Sequence, residues 1–156
     1  MRCPVLLLVV TLAGLPTGGC ALLGDACASP VTGTATYVSG STPPPWHHAW
    51  TVRLEASTGT VTWTPGYGSA ESWSVPFVPD GGQVRQACRE LLDRPETDSL
   101  PGGGTLTVRW RGDGGRTTSV TTSDEGAADA VRFAVPVTAW DEAEGAYERW
   151  RDAQRG

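Results

Sequence analysis

The sequence predicts an α+β domain, an antiparallel sheet of about five strands with two helices on one face, in the order β-β-β-α-β-β-α. Two observations carry this. Apolar and polar residues alternate with a period of two in four separate runs, and the period lengthens to that of a helix after Pro79 and again after Asp124. Strands that follow one another without an intervening helix pair antiparallel, with the helices gathered apart from them.

The first run is Trp46 to Glu55, where Trp46, Trp50, Val52 and Leu54 share one side and His48 is the exception. Thr60 to Thr64 sets Val61 and Trp63 against three threonines, and Ser57-Thr58-Gly59 supplies the turn of a hairpin between the two runs. Ser72 to Val78 places Trp73, Val75 and Phe77 together, while Pro76, which cannot donate to a ladder, assigns the strand to a sheet edge. Asp80 then fits a helix N-cap with Gln83 at the third helical position, and Val84, Ala87, Cys88, Leu91 and Leu92 follow at helical spacing, ending before Pro95. Thr105 to Arg111 aligns Leu106, Val108 and Trp110; a glycine-rich turn leads to Thr117 to Thr122, a Thr-rich strand suited to the other edge. From Asp124 the chain is helical in two pieces broken at Pro136, with Trp140, Ala143, Tyr147 and Trp150 along one face.

In the four strands that carry tryptophan it falls on the side of the aliphatic or aromatic residues, so the expected core is aromatic-rich and the opposite side faces solvent. That outer face would carry Thr51, Arg53, Thr60, Thr62, Thr64, Thr105, Thr107, Arg109 and Arg111, of which Arg53, Thr62, Thr107, Arg109 and Arg111 are the candidate binding residues. Trp46 and His47, beside the run Pro43-Pro44-Pro45, form a candidate aromatic loop.

The amino terminus predicts export. Arg2 and a mainly apolar stretch from Val5 to Leu15 make the charged and hydrophobic parts of a signal peptide, residues 1–19. The stretch is shorter than the about 20 apolar residues a membrane span needs. Thr17-Gly18-Gly19-Cys20 resembles the lipobox of bacterial lipoproteins, with Thr17 where that box usually has leucine. The resemblance implies diacylation of Cys20 and a chain anchored on the extracytoplasmic face of the cell membrane. Residues 20–33 would then be a tether and 34–156 one domain. Ala26-Cys27-Ala28 offers a competing cleavage site that would secrete the chain from Ser29 onward. The lipoprotein route leaves Cys27 and Cys88 as an even pair able to form a disulfide; the other strands Cys88 as a single thiol.

The whole chain has 17 acidic residues against 12 arginines and no lysine, net −5, and loss of Arg2 makes the exported part more negative still. This argues against nucleic acid and against electrostatic adhesion to anionic lipid. Arginine in place of lysine throughout fits an actinobacterial type of genome. The segment Ser39-Gly40-Ser41-Thr42-Pro43-Pro44-Pro45-Trp46-His47-His48 and the strand after it resemble small actinobacterial exported proteins, which implies the architecture and no particular activity.

No catalytic motif stands out. His47 and His48 are the only histidines, and successive strand side chains point to opposite faces, so they do not converge on a metal. Neither Gly102-Gly103-Gly104 nor Gly112-Asp113-Gly114-Gly115 is followed by the Lys-Ser/Thr of a phosphate loop; both read as turns. Arg111-Gly112-Asp113 is an integrin tripeptide that any such hairpin could spell. The expectation is a non-catalytic binding or accessory lipoprotein without cofactor or metal. Its partners would be the membrane through the lipid, and an envelope protein or cell-wall polysaccharide through the domain. The alternatives are an inhibitor of a secreted enzyme, acting through the Pro43 to Trp46 loop, and an envelope hydrolase.

Overall fold

The computed structural model describes residues 25–66, 68–94 and 102–155. The signal segment, Cys20 and the first part of the tether lie outside the described residues. The chain forms β1 (Thr32–Val38), β2 (His48–Leu54), β3 (Gly59–Pro65), β4 (Trp73–Phe77), α1 (Gly81–Leu92), β5 (Thr105–Arg111), β6 (Thr117–Thr122), α2 (Glu125–Phe133) and α3 (Val137–Ala153). It is an α+β fold with one open antiparallel sheet in the order β4-β3-β2-β1-β5-β6.

Two counts differ from the expectation: among the described residues the sheet has six strands and the helices are three. The added strand, β1, lies at the centre of the sheet between β2 and β5. Its inward positions are Gly33, Ala35 and Tyr37, too small at the first two to read as an apolar run. They are small because their neighbours are large. Gly33 lies opposite Leu54 and Trp110, and at its φ of 129° a Cβ would fall 2.0 Å from the Arg109 carbonyl oxygen. The third helix arises at Pro136, which lacks an N–H to continue α2 and starts α3 as its cap residue. Pro76 does sit on an edge strand, and β6 is the other edge.

Helix α1 begins as its sequence predicts: the Asp80 carboxylate accepts from the backbone N–H groups of Gly82 (2.8 Å) and Gln83 (2.9 Å). Asp124 caps α2 in the same way through Gly126 (2.9 Å). All three helices cover one face of the sheet, α1 packing on α2 and β6 and α3 on β3 and β4. The helices offer alanines inward, Ala87, Ala127, Ala130, Ala139 and Ala143, which lets the bulky strand side chains fill the space between the layers. On this face Tyr37, Trp50, Trp63 and Trp73 make one row across β1 to β4. Trp140 meets Trp50 edge-on at 5.1 Å between ring centroids, and Tyr147 stacks on Trp63 at 5.4 Å.

Trp50, Trp63, Trp110 and Trp140 are buried, and Trp73 and Trp150 are half-buried where α3 meets β4. Trp46 departs from the expected core face: β2 starts at His48, so Trp46 sits in the preceding turn, 43% exposed. Cys27 and Cys88 form a disulfide that ties the segment before β1 to α1, and Cys27 and Val31 belong to the core.

Candidate binding surface

The helix-free face of the sheet is mostly polar, with Val38, Ala49 and Pro76 as apolar exceptions. Register brings Ser74, Thr62, Thr51, Thr36, Thr107 and Thr121 opposite one another in a row that crosses all six strands. At about 4.8 Å between strands the row runs roughly 24 Å. Two neighbouring pairs share hydrogen bonds, Thr36 with Thr51 at 3.2 Å and Thr62 with Ser74 at 2.8 Å. A hydroxyl has one donor and two acceptor sites, so each pair keeps capacity directed outward.

The next row holds Thr60, Arg53, Thr34, Arg109 and Ser119, and beyond it Arg111 lies between Thr32 and Thr117. Arg53 and Arg109 therefore flank Thr34 of the central strand, one on each side, and Arg111 stands two residues along β5 from Arg109. Arg53 reaches Glu55 at 3.6 Å in a solvent-exposed pair, which is worth little. Among the described residues Arg109 and Arg111 have no carboxylate within ion-pair distance. The carboxylates gather elsewhere: from Asp124 onward the chain carries eight against four arginines, all on the helical side or its ends. The molecule is thus acidic overall and basic on its open face.

All five residues expected on this face, Arg53, Thr62, Thr107, Arg109 and Arg111, lie on it. Those that sequence reasoning missed are Thr34 and Thr36 of β1 with Ser74, Ser119 and Thr121; the alternation Thr32, Thr34, Thr36 was the available signal.

The aromatic loop is held against α3. Tyr147 Oη donates to the Pro45 carbonyl (3.0 Å), and the guanidinium groups of Arg155 and Arg151 lie 4.1 and 5.2 Å from the Trp46 ring centroid. The two histidines diverge. His47 Nδ1 lies 3.2 Å from both the Ser39 hydroxyl and the Gly40 carbonyl, while His48 turns inward and stacks on Trp63 at 5.1 Å. Among the described residues no three His, Cys, Asp or Glu side chains are grouped to hold a metal ion.

On the helical side a cleft of about 460 Å³ between the Tyr37 end of the sheet and α2 is lined by Asp124, Glu125 and Asp129 and by no histidine or cysteine. Burial pushes the Tyr37 phenol above its usual range, with Glu125 adding to the effect. Asp124 is held below the usual carboxylate range, chiefly by the Gly126 N–H and then by Arg94, with which it is paired. Asp25 is lowered likewise, first by the Cys27 N–H and then by Arg89. These carboxylates are engaged in capping and ion pairs. Comparison with known protein families, with curated proteins and with solved structures finds no match to this chain.

Proposed function

We propose that the chain is a non-catalytic binding or accessory lipoprotein, held on the extracytoplasmic face of the membrane through Cys20, whose open sheet face takes up an envelope component. The observation that carries this reading is the six-stranded face itself, which no helix covers among the described residues: it is mostly polar, and basic within an acidic molecule. Exposed strands also use threonine and arginine simply to stay soluble, so composition alone carries no weight. What supports binding is their arrangement, a hydroxyl row in register beside Arg109 and Arg111, which have no carboxylate partner among the described residues. The non-catalytic part of the reading rests on where the histidines are engaged, one in the loop and one in the aromatic stack.

Sedimentation of the full chain with delipidated cell wall tests the proposal. The parent should pellet, Arg109→Glu and Thr107→Glu should stay in the supernatant, and a charge reversal on α3, Arg149→Glu, should behave as the parent. Equal pelleting of all four would refute the assignment to this face. The address is tested separately: Cys20→Ala should release the protein from the membrane, and fatty-acid labelling that persists in that variant would refute anchoring there.

A further inference from the structure

Resting on the reading of the open face as the binding surface, we infer that its ligand is a linear polyol phosphate chain of the cell wall. Three features select this chemistry. The face is long and flat, and its hydroxyl row of roughly 24 Å suits an extended polymer better than a compact solute. The arginines are spaced for repeated anions. Arg109 and Arg111 stand about 7 Å apart along β5, and Arg53 lies about 10 Å from Arg109 across β1, by ordinary strand geometry. A guanidinium presents a planar fork that matches phosphate oxygens bidentately, and the hydroxyl row alongside offers both donors and acceptors to polyol hydroxyls.

The net charge of −5 by itself opposes the binding of such a polymer. Eight of the 17 carboxylates that produce it, however, run from Asp124 through α3 on the helical side of the sheet, and Glu55, beside the open face, is already paired with Arg53 at 3.6 Å. The Debye length at physiological ionic strength is about 8 Å, so the local arginines dominate. An anionic bilayer is the competing occupant. The face offers it little to insert, Val38 and, just past the end of β4, Val78 being the large apolar residues exposed there among the described residues, and a bilayer would not use a row of hydroxyls in register.

The test uses the full chain in non-ionic detergent and isothermal calorimetry with four soluble probes: a glycerol phosphate oligomer of about ten units, monomeric glycerophosphoglycerol, polygalacturonate and dextran. The oligomer should bind, with log Kd rising against log salt with a slope of about 2 if three phosphates are contacted, by the behaviour of flexible single-stranded polyanions. Arg109→Gln with Arg111→Gln should weaken it at least about tenfold, as loss of charge-assisted contacts requires, and should cut the slope below about 1. Thr36→Val with Thr107→Val should weaken binding and leave the slope unchanged. A parent-like slope in the double arginine variant would overturn the inference, as would monomer binding as tight as oligomer binding, which marks a headgroup site, or a preference for polygalacturonate or dextran. No binding of the oligomer by a chain that still pellets with delipidated wall overturns this ligand alone; a chain that does neither overturns the proposed function as well.

Discussion

Replacing Trp110 separates the two faces of the sheet most sharply. Trp110 and Arg109 are neighbours on β5, the first fully buried and the second exposed on the open face. An aromatic side chain buries about 150 to 250 Å², which at about 25 cal/mol per Å² corresponds to roughly 4 to 6 kcal/mol. An extended reference chain overstates that burial, and the indole N–H of Trp110 has no hydrogen-bond partner among the described residues, a standing cost of about 1 to 3 kcal/mol that truncation removes. The cavity left behind acts the other way, so Trp110→Ala should lose about 3 to 5 kcal/mol, a large part of the about 5 to 15 kcal/mol a domain possesses. Trp110→Phe, which abolishes the unpaired N–H and keeps most of the ring, should cost less than half as much. Arg109→Ala should fall within about 0.5 kcal/mol, as at other exposed positions. Urea denaturation of the three variants gives the values. If Trp110→Ala is as stable as the parent and instead loses wall binding, the aromatic side is the ligand surface and the assignment of faces is reversed.

Reduction of the Cys27–Cys88 disulfide, which closes a separation of 61 residues, should cost about 4 kcal/mol in the chain-entropy model, read as a lower urea midpoint in reductant. A midpoint unchanged by reductant would show that the segment before β1 is held by packing alone. Because the folded-state pKa of Asp124 is depressed, its contribution is present above the unfolded value near 3.9 and is lost as pH falls through the folded one. Asp124→Asn, which keeps an N-cap, should therefore show a smaller loss of stability between neutral pH and pH 3 than the parent; an identical acid profile would refute that role. Burial raises the Tyr147 phenol above its usual pKa, so its contribution is complete below about pH 10 and is lost as pH rises through the folded value. Tyr147→Phe should lose about 0.5 to 1.5 kcal/mol at neutral pH with the bond to Pro45, and should flatten the alkaline loss; a steeper alkaline loss would refute the assignment.

What could be read in the sequence was whatever the two-residue and helical periods expose. β5 and β6 fall at the expected residues, α1 begins at its expected cap, and β2 to β4 differ by a residue or two at their ends. β1 could not be read that way, because where it is flanked by Leu54 and Trp110 it has no room for a large inward side chain and presents Gly33 and Ala35 where a pattern search needs valine or leucine. Trp46 misled for the opposite reason: its parity matched β2, but the turn at Pro43 to Trp46 takes it out of the strand and onto Arg151 and Arg155.

The missing strand also hid the character of the candidate surface. Arg53 and Arg109 are far apart in the chain and only β1 brings them to either side of one residue, Thr34. Without it, the hydroxyls of β2 and β3 and those of β5 and β6 belong to two unrelated hairpins, and a net negative composition argues against any anionic ligand. With Thr36 joining Thr51 to Thr107, the two hairpins become one continuous surface. The basic patch is thus a property of register, which composition averages away, and the same small residues that made β1 hard to find are what let the tryptophans pack beneath it.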